Sequence, residues 1–442
     1  MRPRSIIATG LLWAVCLATP ASAGAQTPGP RPWGRVSFYS DFWQTAVPGL
    51  PSRGFGEFAT SVTYQMPDQD DDGLEAGVDV RHAAYTSSVQ PQRVSVYEAF
   101  VGARVADGRL RARVGHMWLN DLGSLGSVAG ALFEYRGPAD SKGGLGRLRV
   151  GAFGGLEPMI LEAGYAPGVT KYGGYVAFDG EHARRDVIGF VTLRDHSLTE
   201  RSVLTTMNFV PIGRKFFVYQ AAEFDLQAPA GQGRAGLSYF FANLRASPAS
   251  RLELQANTNR GRSVDTRGLT LDVLSGRPLT QTAIDGLLYE SAGGRVTVEV
   301  VPRVRVYAGY SRDKTNRDTA PTGRTTIGGY AGNLLRSGFD LAASESLFNG
   351  PARQYHSQYI SLGRQLGRHV YLSGDYSTSL SIIQFSRSDG ILIEIRPASS
   401  RISGSGTIYI GRFISLLTTV DRTIEDSSRE LRILTGITYR FR

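Results

Sequence analysis

The sequence predicts an all-β chain, an antiparallel up-and-down barrel that crosses a membrane with about 22 strands, within roughly 18 to 24. Three observations predict it. Hydrophobicity alternates with period two through short segments punctuated by Gly, Pro, Asp and Ser. The composition is rich in Gly (53), Tyr (20) and Phe (20). Its hydrophobic residues never gather, beyond the N-terminus, into the run of about 20 that a transmembrane helix needs. The connections also alternate, short at one end of the segments and on average longer at the other.

The chain opens with Arg2 and Arg4, an apolar run from Ile6 to Ala18, and small residues at Ala21-Ser22-Ala23 or Ala23-Gly24-Ala25. This is the build of a secretory signal peptide over residues 1–25. Cys16, the only cysteine, lies inside it, and Val15 is too large for the residue that precedes a lipidated cysteine. Processing would leave a cysteine-free chain, with neither a disulfide scaffold nor a thiolate ligand. The formal charge would fall from +10 to +8 with the loss of Arg2 and Arg4. A short periplasmic linker, rich in Pro and Gly, is expected at 26–33 and the barrel at 34–442, with no room for an N-terminal plug domain.

The first segment begins at Gly34 (GRVSFYSDFW) and the second is expected over Phe55–Met66. The third, Leu74–Thr86, sets Leu74, Ala76, Val78 and Val80 against Glu75, Gly77, Asp79 and Arg81. The fourth, Arg93–Val105, has blurred alternation at Ser95-Val96-Tyr97. It turns at Ala106-Asp107-Gly108 into the fifth, where Leu110, Ala112 and Val114 oppose Arg109, Arg111 and Arg113. The sixth is Val128–Arg136, and the seventh sets Leu148 and Val150 against Arg147 and Arg149. Five more are expected at Tyr172–Asp179, Arg185–Asp195, Arg201–Val210, Lys215–Leu226 and Ala235–Arg245. In the thirteenth, Leu252, Leu254 and Ala256 oppose Arg251, Glu253 and Gln255, and the longest irregular stretch, Thr258–Gly286, follows. Val296, Val298 and Val300 then face away from Arg295, Thr297 and Glu299, and past Pro302 Val304 and Val306 face away from Arg303 and Arg305. Three segments follow at Thr325–Asn333, Ser337–Phe348 and Tyr355–Arg364. Two long ones, His369–Ser386 and Ile391–Ile410, flank Ser388-Asp389-Gly390, and Arg412–Ile424 and Glu430–Phe441 complete the set.

In the last segment Leu431, Ile433, Ile437, Tyr439 and Phe441 alternate with Arg432, Leu434, Gly436, Thr438 and Arg440. An aromatic-rich final strand of this kind resembles the closing strand of bacterial outer-membrane β-barrels, and with the features above the chain resembles a porin. Arg442 departs from the resemblance, since those chains usually finish on the aromatic itself. The resemblance implies that Tyr439 and Phe441 form an assembly signal. It also implies as partners the barrel assembly machinery, periplasmic chaperones, and outer-membrane lipid and lipopolysaccharide.

The most distinctive polar feature is basic. Arg109, Arg111, Arg113, Arg147, Arg149, Arg251, Arg303 and Arg305 fall on what should be the lumen face at one end of the barrel. One reading is a pore-lining funnel for anions. The other is that they pair with lumen carboxylates such as Glu75, Asp79, Glu253 and Glu299 on a wet wall. Asp68, Asp70 and Asp72 resemble the start of a calcium loop, but the position of its closing carboxylate is Asp79, on a wall, so a solvated turn is the better reading and no metal is expected. Of six histidines, His82 and His116, with Asp121 nearby, form the one group resembling a catalytic constellation, and no motif supports it. No catalytic residue or cofactor is expected. The stretch His116–Gly130 could fold into the pore as a constriction or form a surface loop, with Trp118 in an aromatic girdle. Other girdle candidates are Trp33, Tyr39, Phe42, Trp43, Tyr135, Tyr219, Tyr239, Tyr310, Tyr409 and Tyr439.

The expected function is a passive outer-membrane channel for small hydrophilic solutes, with anionic ones favoured. The alternative is the barrel of an envelope export or surface-assembly system, its lumen filled by loops or a partner protein. A homo-oligomer fits either. Nucleic acid is not expected as a partner, because the charge is spread over strands and a signal peptide precedes them.

Overall fold

The computed structural model describes residues 32–66, 72–87, 90–138, 146–159, 163–227, 235–334, 336–350, 353–386 and 392–441. The expected signal peptide, Asp68, Asp70 and Ser388-Asp389-Gly390 lie outside them. The chain is a closed antiparallel barrel of 22 strands with one short extra strand. The first strand, β1 (Trp33–Ala46), pairs with β2 (Arg53–Gln65) on one side and with the last, β23 (Arg429–Phe441), on the other. Closure gives every edge a partner, which a sheet in hydrocarbon requires.

The faces follow the alternation. On β3 (Gly73–Tyr85) Leu74 is 76% exposed while Glu75 is buried, and on β6 (Ser127–Arg136) Phe133 is exposed while Glu134 is buried. Val101, Val114, Ile188, Ile327 and Ile402 join the outward apolar band. On β23 Leu431, Ile433, Ile437 and Tyr439 lie exposed on that band, and the Phe441 ring covers Gly34 of β1 at the closing seam. A side chain at Gly34 would occupy the place of that ring.

Four local differences from the expected layout have physical causes. On β4 (Arg93–Val105), Asp79 pairs with Glu98 and Val80 with Val96, so Tyr97 is the extra residue of a β-bulge. That bulge is the blurred alternation. The long segment Ile391–Ile410 is interrupted at Pro397, which has no N–H to donate. A short strand, β20 (Leu392–Ile395), therefore precedes β21 (Ala398–Ile410), and both pair with β19 (Val370–Ser386).

The stretch Thr258–Gly286 is not wholly irregular. Strand β13 (Leu252–Ser263) runs into it, and two helices follow, α1 (Thr266–Leu274) and α2 (Gln281–Asp285). Asp265 and Thr280 cap them, accepting from Gly268 N (2.8 Å) and Ala283 N (3.2 Å). The fourth difference lies between β9 (Arg185–Asp195) and β10 (Leu198–Ile212). A tight turn with His196 at φ 53 joins them where a longer connection would suit the alternation.

Several girdle candidates belong to the inner wall instead. Tyr39 and Trp43 share the parity of Arg35 and Asp41 on β1, and Tyr219 and Tyr239 line the lumen with Glu223. Trp33 and Tyr409 also fall on lumen-facing parity. Phe42, Trp118, Tyr135, Tyr310 and Tyr439 do face outward and are exposed. Aromatic identity alone does not choose a face; the position in the alternation does.

Candidate functional site

The inner wall is not uniformly polar. On β9, Val187, Val191 and Leu193 are buried on the inside while Ile188 and Phe190 are exposed on the outside. Phe153 of β7 (Arg147–Pro158), Tyr175 and Ala177 of β8 (Tyr165–Asp179), and Val203 of β10 extend this apolar lumen face. What covers it is the connection from β5 (Leu110–Trp118) to β6.

That connection, Asn120–Leu125, turns into the barrel as two 3₁₀ turns broken at Gly123 (φ 55, ψ −126). Its neck closes where Leu119 N donates to Gly126 O (2.9 Å). Leu122 is fully buried against the β9 wall over Gly189, and Leu119 and Leu125 are buried beside it. Of the two readings of His116–Gly130, the inward constriction is the one found. Leu122→Ala is expected to cost about 2–5 kcal/mol of barrel stability. Urea unfolding in lipid vesicles measures this; a loss below about 0.5 kcal/mol would mean that the contact does not hold the loop.

Charge fixes the loop more firmly. Arg149 grips the Asp121 carboxylate with both terminal nitrogens (2.8 and 3.1 Å), and Arg185 adds a third contact (2.7 Å). Arg149 also reaches Asp179 (2.5 Å) and Glu134 (3.2 Å). Glu134 in turn takes Arg136 (2.5 Å), Arg111 (3.5 Å) and the Tyr175 hydroxyl. Glu75 accepts from Arg111 (3.0 and 2.9 Å) and Arg113 (2.6 Å) and pairs with Arg104. Among the described residues of β3 to β9, six guanidinium groups thus share four carboxylates. Farther along, Ser124 Oγ donates to Glu223 (2.6 Å) on β11 (Phe216–Gln227), so the loop runs along the inner wall from β5 as far as β11.

A second inward element comes from the helical connection between β13 and β14 (Leu287–Val301). Arg267 of α1 donates to Glu200 of β10 (2.8 Å) and pairs with Glu157 of β7, and Thr266 adds a hydrogen bond to Glu200 (3.1 Å). Burial works against the Arg267 charge, but these partners raise its pKa above the ordinary arginine value. Between this connection, the Asn120–Leu125 loop and the wall of β10 to β14 lies a cavity of about 1090 Å³. Arg201 organises its floor, donating to Asp225 (2.7 Å), Glu223 (3.0 Å) and Ser238 (2.9 Å). A smaller recess of about 440 Å³ on β23 and β1 to β4 holds the pairs Arg81–Glu57 and Arg432–Asp41.

The arginines singled out in the sequence divide into three groups. Arg111, Arg113 and Arg149 belong to the buried network. Arg109, Arg251 and Arg303 lie in tight turns at the strand ends and are exposed. Arg147 donates to Gly137 O (2.8 Å) and Arg305 to Glu299 (3.4 Å) on the wall. Glu253 pairs with Arg245 (2.5 Å), and Asp79 accepts from Thr63 (3.4 Å). His116 is buried, but Asp121 is engaged by Arg149 and Arg185. The residues sequence reasoning missed are Glu134, Arg201, Glu223 and Arg267. The available signal was a ninth segment apolar on both faces (VIGFVTL), which implies a covered lumen wall.

No protein-family model matches the chain, and no curated protein matches it by sequence. Among solved structures, similar ones include OpdQ of Pseudomonas aeruginosa (TM-score 0.46, 7% identity, 93% of this chain and 99% of that one). OccAB4 of Acinetobacter baumannii is similar at TM-score 0.44 and 10% identity, over 93% and 99%. The P pilus usher PapC translocation pore is similar at 0.43 and 10%, over 92% and 99%. The class is decided by this chain's own geometry, a closed 22-strand barrel with an apolar band outside and charged groups inside. The chain has the build of a transmembrane β-barrel. Its lumen is a polar passage narrowed from one side by its own loop, a barrel feature that area and strand number alone would not reveal.

Proposed function

We propose that this barrel is a passive channel of the bacterial outer membrane, not a catalyst, for small hydrophilic solutes with a moderate preference for anions. The observation that carries the preference is the cluster of arginines, six beside four carboxylates among the described residues, where the loop narrows the lumen. Fixed positive charge beside a low-dielectric constriction raises the local concentration of anions. Exposed basic residues in the turns, Arg109, Arg251 and Arg303 with Arg412, extend the same field to the periplasmic mouth. Lipid and lipopolysaccharide would surround the outward band, and Tyr439 and Phe441 would serve recognition by the assembly machinery.

The test is the reversal potential of the purified barrel in a planar bilayer across a potassium chloride gradient. Anion preference is expected, reduced but not abolished when Arg109, Arg251, Arg303 and Arg305 are all replaced by Gln, because the arginines at the constriction remain. An open channel that prefers cations would contradict the reading. The export or surface-assembly reading draws on the apolar lumen face of β7 to β10. Because the chain's own loop already covers that face, the channel reading stands first.

A further inference from the structure

We infer that the cavity between the Asn120–Leu125 loop and the wall of β10 to β14 is a subsite for a neutral polyhydroxylated solute of mono- or disaccharide size. The inference rests on the channel reading above and names a substrate class for it. The cavity volume of about 1090 Å³ is ample for such a solute. Three tyrosines, Tyr219, Tyr239 and Tyr289, line it on the lumen side, and the Tyr219 ring is braced by Phe241 at 5.7 Å between centroids. Aromatic faces with a polar edge suit the apolar face of a pyranose ring and its hydroxyls together.

The polar floor has the complementary property. Arg201 uses its donors on Asp225 and Glu223, which fixes both carboxylates and offsets their charge. Each carboxylate has about four acceptor sites, so lone pairs remain for incoming O–H donors. An array of held, partly neutralised acceptors suits a donor-rich neutral molecule. The cavity's charged lining, Arg201 and Arg262 against Glu223, Asp225 and Asp285, presents no surplus of positive charge to an anion. Because the floor is pre-organised by the protein's own ion pairs, little ordering is left to the solute.

Single-channel recording with sucrose and glucose tests this. Both sugars are expected to interrupt the current at millimolar concentration. The double substitution Tyr219→Ala/Tyr239→Ala is expected to weaken the block about tenfold, read as the fraction of each channel's own open current that the sugar interrupts. Tyr219→Phe/Tyr239→Phe, which keeps the rings, should retain the block, separating stacking from a folding defect. An open channel that neither sugar interrupts overturns the subsite and leaves the channel reading intact. Interruption by glucuronate but not by glucose or sucrose also overturns it, because the cavity would then serve an anion. A correctly folded barrel that passes no current removes the channel reading and the subsite with it.

Discussion

Replacing Asn120–Leu125 by Gly-Gly is expected to raise single-channel conductance roughly twofold or more. The loop leaves β5, turns into the lumen and touches β9, β10 and β11, so it occupies cross-section that a barrel of this strand number would otherwise leave to water. The short neck between Leu119 and Gly126 allows the excision without moving β5 or β6. A smaller change, Asp121→Asn, keeps the loop but removes the charge that Arg149 and Arg185 hold. It is expected to give a noisier channel with excursions toward the conductance of the excised form. If excision leaves the conductance of the parent, the loop is not the constriction.

The second large effect is on stability. Arg149→Ala is expected to cost about 3–5 kcal/mol, because Glu134, Asp121 and Asp179 all lose a partner and the first two are buried. Arg149→Lys should recover only part of this, since one ammonium cannot reproduce the bidentate grip on Asp121 together with the contact to Asp179. Removing Asp121 as well, in Arg149→Ala/Asp121→Ala, should cost less than the sum of the separate losses, because the two belong to one network. Urea midpoints of the barrel in lipid vesicles measure all three. Simple additivity would mean that the network does not act as a unit.

Much of the barrel was legible in the sequence because a strand in a membrane wall carries its own instructions. Leu74 against Glu75, or Phe133 against Glu134, states which side meets lipid without reference to any distant residue. Local breaks were legible in the same way: the extra residue at Tyr97 blurs the alternation it interrupts, and Pro397 marks where one long segment becomes two.

The lumen was less legible because its contacts join residues far apart in the chain. Arg149 meets Asp121, Ser124 meets Glu223 and Arg267 meets Glu157, pairings set by barrel closure and loop path rather than by spacing. Alternation also gives a side without giving a neighbour. It put Arg111 and Arg305 on the same inner face, yet one is buried among partners and the other stands in a wet wall beside Glu299.

Conductance of the purified barrel in a planar bilayer tests the central claim most directly. The account predicts stable open steps from the barrel alone, smaller than those of the form lacking Asn120–Leu125. Correct insertion without current in either form would contradict it, and would turn attention to a partner that opens or fills the lumen.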